Sequence, residues 1–200
     1  MKKVNIKITL TYPALGMSPA DEDICRTYIA SKAPDAQSIE EEVASIGVDD
    51  VVEKSMTIFP KDENGTPFFW DYQIKGFFKD SWGMLRKVKG TDCSKVKAYK
   101  KIIDGLMFPQ PRKILINLPE GGEIFTISRP LRASTPQGDR TALAMSEAVP
   151  EGSWIEFSVV CLDEDVIPCI KECLDYGTLR GLGQWRNSGK GTFEYTMEEE

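Results

Sequence analysis

The chain has 200 residues, 41% of them hydrophobic and 28% charged, which is enough for one large domain or two small ones around a real core and excludes a disordered protein. Its formal net charge of -6 excludes whole-surface attraction to a polyanion, so any nucleic-acid site has to be a local basic patch. No run approaches the roughly 20 apolar residues of a membrane span, and five cysteines without a C-x-x-C pair or a signal-like leader fit a reducing cytoplasm.

In chain order, Lys3 to Tyr12 alternates, with Val4, Ile6, Ile8 and Leu10 facing one way, and reads as a half-buried strand. Ser18-Pro19-Ala20-Asp21 carries an N-cap serine with proline at the next position and predicts a helix, on which Ile24, Tyr28 and Ile29 share a face. A second short helix is expected over Ser38 to Ile46, its first turn crowded with Glu40, Glu41 and Glu42. Ser55 to Pro60 reads as a strand and Lys61 to Pro67, with Asn64-Gly65, as a turn.

From about Asp71 a helix is predicted, with Phe77, Phe78, Trp82 and Leu85 at helical spacing; such a stripe belongs to a core and not to a ligand. Ser94 to Met107 is a basic helical or irregular segment. Lys113 to Leu118 and Glu123 to Ser128 flank Pro119-Glu120-Gly121-Gly122 and predict a β-hairpin. Arg129 to Pro150 shows no period and reads as a long loop. Ser153 to Leu162 is a strand, Asp163-Glu164-Asp165 starts a helix that Gly177 ends, and Thr192 to Met197 is a last strand. This order predicts an α+β protein with an antiparallel sheet and helices on one side, a ferredoxin-like or RRM-like core with insertions. One domain over 1–200 is expected, with an acidic helical insertion at about 18–63 and a long loop at about 129–150.

Gly177 to Tyr195 (GTLRGLGQWRNSGKGTFEY) concentrates five glycines with Arg180, Arg186 and Lys190. Two readings stand side by side. In one, Gly181, Gly183, Gly189 and Gly191 let a loop clasp a nucleic-acid backbone while Trp185 stacks on a base. In the other, the glycines serve only the geometry of a connection. Charge is also divided along the chain: Lys75 to Lys113 holds eleven Lys or Arg against three Asp, and Asp21 to Glu63 twelve acids against four bases. A solvated helix face explains such runs more often than a site does.

Three stretches together resemble the RAMP superfamily of CRISPR-associated proteins, the Cas5, Cas6 and Cas7 group with RRM-like folds. Gln73-Ile74-Lys75-Gly76-Phe77-Phe78-Lys79 is similar to the family's helix-opening pattern, with Trp70-Asp71-Tyr72 in place of its Pro-Gly-Ser lead-in and Lys79 in place of its arginine. Val149 to Phe157 is similar to its Pro-x-Gly turn into a strand, and Gly181 to Gly191 to its glycine-rich loop. The resemblance implies RNA contact by Lys75, Lys79, Arg180, Arg186 and Lys190, and by the Arg129 to Arg140 stretch through Arg132 and Arg140. A phage-borne relative would also suit the sequence. The resemblance brings no catalyst, since family members that process RNA commonly use histidine and this chain has none.

The expected function is non-catalytic binding of single-stranded nucleic acid, RNA before DNA, without cofactor and without membrane attachment. The alternative is a protein-interaction module of phage or host-defence origin, the acidic segment meeting a basic partner surface; a homo-oligomer fits either. No P-loop or dinucleotide fingerprint is present, and nucleophiles lack a histidine base. Among carboxylates, Asp139, Asp163, Glu164 and Asp165 are the candidates for acid chemistry, with helix capping the favoured role of the last three. Cys169 and Cys173, four apart, mark a buried helix face more readily than a metal site.

Overall fold

Alternation in Lys2–Leu10 has its expected consequence: in this computed structural model, strand β1 turns Val4, Ile6, Ile8 and Leu10 into the core and leaves Lys3, Asn5, Lys7 and Thr9 on the other face. The structure describes residues 1–20, 56–135 and 138–200, with backbone alone described over 131–143. The expected helices across 21–46 lie outside the described residues.

β1 is central in an antiparallel sheet. It pairs on one side with β10 (Trp154–Cys161), Ile6 opposite Phe157, and on the other with β11 (Phe193–Glu199), Ile8 opposite Tyr195. Beyond β10 runs a broken strand, β6 (Met107–Gln110) and β7 (Lys113–Asn117), interrupted at Pro111 and Arg112, where Pro111 lacks a backbone donor. The Gln110–Pro111 bond is cis. β5 (Phe68–Trp70) closes that edge against β7.

Four helices are described: α1 (Asp71–Leu85), α2 (Asp92–Lys95), α3 (Tyr99–Leu106) and α4 (Ile167–Arg180). Phe77, Phe78 and Trp82 of α1 and Ile170, Cys173 and Leu174 of α4 are buried in the core they share with the inner face of the sheet. Each such fully buried apolar side chain contributes about 1.5–3 kcal/mol. The sequence β1, α1, β6/β7, β10, α4, β11, with sheet order β11-β1-β10-β7, forms two interleaved β–α–β units. That is the α+β, ferredoxin-like arrangement expected.

A second sheet is inserted around it. β2 (Ala14–Leu15), β3 (Ser18–Pro19), β4 (Thr57–Ile58), β8 (Phe125–Thr135) and β9 (Gly138–Val149) form it, with β8 along one edge of β9 and β2 and β4 on the other. Glu147 fastens the junction: its carboxylate accepts from the Phe59 amide at 2.9 Å and from Lys61 at 3.2 Å.

Four expectations are corrected. Arg129 to Pro150 is no loop, because β8 and β9 pair from Phe125–Ala148 out to Thr135–Gly138. Lys113 to Leu118 and Glu123 to Ser128 form no hairpin with each other: the turn between them exists, Gly122 N–H donating to Pro119 O at 2.8 Å, but the strands enter different sheets. Ser18 and Pro19 are not the cap and first turn of a helix, since they pair with Ile58 and Thr57. Gly177 does not end α4; it is buried within it, where an added Cβ would lie 2.6 Å from Phe77 Cζ and 2.5 Å from Phe193 Cζ. The helix runs one turn further because that glycine is a packing requirement and not a cap.

Candidate nucleic-acid interface

The opening of α1 is set by local bonds. The Trp70 amide donates to Gln73 Oε1 at 2.9 Å and the Asp71 amide to Arg112 O at 2.9 Å, so the helix starts beside the β6–β7 break. Lys75 and Lys79, four residues apart, then share one flank of the helix. Lys79 is ion-paired with Asp104 of α3 at 2.5 Å. Lys75 Nζ donates to Asp104 O at 3.3 Å and stands 4.8 Å over the Phe108 ring. Burial pulls the Lys75 ammonium below the ordinary lysine range, against the opposing pull of the Asp104 and Asp71 carboxylates.

The glycine-rich loop starts where α4 ends. Gly181, Gly183, Gly189 and Gly191 all have positive φ. Leu182 drops into the core, its amide donating to Gly191 O at 2.8 Å, while the Gly191 amide donates to Pro13 O at 2.9 Å. At Gly191 a Cβ would meet Leu182 O at 1.8 Å, and at Gly181 it would meet Lys190 O at 2.2 Å. Much of the glycine pattern therefore serves the loop's own closure on β1 and β2. Trp185 also adopts the left-handed conformation, φ 51°, uncommon for a residue with a side chain.

The cations of the loop have structural partners. Arg186 pairs with Asp80 of α1 at 2.7 Å and so ties the loop to the helix that carries Lys75 and Lys79. Arg180 Nη1 donates to Asn187 Oδ1 within the loop. Lys190 lies 4.4 Å over the Tyr12 ring. From β8, Arg129 places its guanidinium 4.7 Å from the Trp185 ring.

Three depressions adjoin through shared walls. A groove of about 560 Å³ is lined by Lys75, Lys79, Arg112 and Arg186 against Asp71 and Asp104. It shares Gly183 and Arg186 with a depression of about 380 Å³ whose charged lining, among the described residues, is Arg129, Arg180 and Arg186 without a carboxylate. At its other end it shares Asp71 and Arg112 with a hollow of about 970 Å³ on the open face of the sheet. There Asp71, Glu156 and Glu198 outnumber Lys7 and Arg112. Positive charge thus rises from the sheet face toward the loop.

Of the residues singled out in the sequence, Lys75, Lys79, Arg180, Trp185 and Arg186 converge on this path, and Lys190 lines none of the three depressions. Arg132 and Arg140 lie one pair apart on the hairpin, opposite Thr141 and Ala133, with their side chains outside the described residues. Arg112 is absent from the contacts expected above, and Arg129 enters there only as the first residue of the Arg129 to Arg140 stretch. Each joins the path only through folding, although both flank prolines at strand breaks or strand centres. Arg86, Lys87, Lys89, Lys95, Lys97, Lys100 and Lys101 are exposed and line none of the three, so most of the basic run is a solvated surface.

Asp163 Oδ1 accepts from the Asp165 amide at 3.1 Å, the capping role expected of it. Cys93, Cys161, Cys169 and Cys173 are buried free thiols. Among the described residues no three His, Cys, Asp or Glu side chains are grouped to hold a metal, and no helix is long and apolar enough to cross a membrane. The acidic segment behind the protein-docking alternative falls, for 21–55, outside the described residues.

No family model matches the chain, and no curated protein matches it. Among solved structures, a chain of the cryo-EM structure of the Type III-B Cmr-beta bound to cognate target RNA matches with a TM-score of 0.57 at 12% identity. The match covers 99% of this chain and 60% of that one, so this chain spans less than two thirds of its neighbour's length. At that identity the likeness is one of fold alone.

Proposed function

We propose that the protein binds single-stranded RNA, without catalysis, along the path from Lys75 and Lys79 to the glycine-rich loop. The observation that carries this reading is the continuity of the groove with a depression whose charged lining, among the described residues, is arginine alone. Phosphate contacts supply most sequence-independent affinity, and a local excess of guanidinium and ammonium groups provides it despite the acidic whole. Arg186, held by Asp80, sets the loop against α1, and Trp185 supports Arg129 on its ring. That the fold neighbour is an assembly bound to target RNA favours RNA over DNA.

The test is a titration of labelled single-stranded RNA and DNA of one sequence at two salt concentrations. Binding that weakens with salt by about 0.7 logarithmic units per phosphate contact and per decade of salt, RNA ahead of DNA, is the expected result. No binding of either strand at low salt would overturn the proposal.

A further inference from the structure

The small depression at the loop end differs in kind from the groove that leads to it. Arg129 and Arg180 both line it, and in both the Nε–H is shielded from solvent without a hydrogen-bond partner. With Nε shielded in both, each guanidinium faces the depression through its Nη groups. Both guanidinium groups are also held in place. Arg180 is fixed through Nη1 to Asn187 Oδ1, and Arg129 by the Trp185 ring at 4.7 Å. Trp185 is itself in a left-handed backbone conformation, which is kept only where surroundings impose it.

The charge count narrows the ligand. Arg186 is neutralised by Asp80, and no carboxylate lines the depression among the described residues, which leaves two uncompensated positive charges, Arg129 and Arg180. An internal phosphodiester carries one negative charge and two free oxygens. A phosphomonoester carries about -1.5 to -2 at neutral pH and three acceptor oxygens, and guanidinium forks bind such oxygens in pairs.

We propose that this depression is a phosphomonoester site that holds the terminal phosphate of a bound strand. The proposal rests on the reading of the groove as an RNA path and adds to it an anchor for one end of the strand. The phosphate dianion balances the two uncompensated guanidinium charges and accepts from their Nη–H groups, and the groove carries the following nucleotides.

One oligonucleotide sequence in three forms decides it: 5′-phosphorylated, 3′-phosphorylated, and hydroxyl at both ends, each titrated at one salt concentration into the native protein and into the Arg129→Lys and Arg180→Lys variants. The lysines keep the charge and remove the fork, and thermal melting of each variant reports whether it folds. One phosphorylated form is expected to bind about tenfold tighter than the hydroxyl form, with that advantage lost in both variants. The advantage should also shrink from pH 7 to pH 5.5, as the phosphate loses its second charge near pH 6. Equal binding of all three forms would overturn the phosphate site and leave the groove standing. Binding of none would overturn both.

Discussion

At Gly191 the loop's path depends on the absence of one carbon. A Cβ there would sit 1.8 Å from Leu182 O on a backbone of φ 73°, whereas at Gly189, φ 76°, it would meet nothing within 4 Å. Gly191→Ala should therefore destabilise the fold by about 2–5 kcal/mol, from backbone displacement plus left-handed strain, and Gly189→Ala by about 1–2 kcal/mol from strain alone. Denaturant titration of the two variants checks this; equal costs would mean that the closure of the loop on Leu182 is wrong. A second prediction concerns Cys161, fully buried on β10. Burial, with a smaller push from the Asp163 carboxylate, raises its thiol to about 11. The raised group contributes stability that is complete below the unfolded value, about 8.5, and is lost as pH rises toward 11. Unfolding free energy measured across that window should fall, and Cys161→Val should make the slope shallower by about 1.4 kcal/mol per pH unit. An unchanged slope would show that this thiol does not titrate with folding.

Elements were legible wherever one face alone is buried. β1 announced itself by alternation, and α1 by Phe77, Phe78 and Trp82 at helical spacing, all of which reach the core. β8 was legible only over Phe125 to Ser128, and β9 was not: Arg, Pro and small residues dilute the apolar positions beyond Ser128, and it is backbone pairing along their whole length that makes both strands. Pro119 to Gly122 forms the expected turn but not the expected hairpin, since a local signal fixes a reversal but not the partner of the next strand. Ser18 and Pro19 carry a capping pattern but pair with β4, so a local signal does not place them at a helix start. Gly177 is the element-scale test. Alanine there gains about 1 kcal/mol of helix propensity, but its Cβ would press on Phe77 and Phe193 at 2.6 and 2.5 Å. Because overpacking costs about 1–3 kcal/mol, Gly177→Ala should lower the denaturation midpoint; a rise would mean that α4 stands off from α1 and β11.

For the whole molecule, the decisive feature is where charge sits and not how much there is. The sequence showed a basic run over Lys75 to Lys113 in an acidic chain, yet most of that run is spread on exposed helices and turns, and only Lys75, Lys79 and Arg112 of it line the path. Arg129 comes to the same path from β8 and Arg186 from the loop, an assembly that no linear spacing displays. The loop's own cations were visible because glycine and arginine cluster within it. Their convergence with α1 depends on the Arg186–Asp80 pair, 106 positions apart in sequence. The most direct measurement compares two double variants of equal charge loss, Lys75→Ala with Lys79→Ala in the groove, and Lys100→Ala with Lys101→Ala on the exposed surface of α3. Salt-dependent titration with single-stranded RNA should show the groove pair weakening binding and lowering the salt slope by about 1.4, at about 0.7 for each lost contact, while the α3 pair leaves both near native. If the two pairs weaken binding equally, affinity follows net charge alone and the groove is not the path of the RNA.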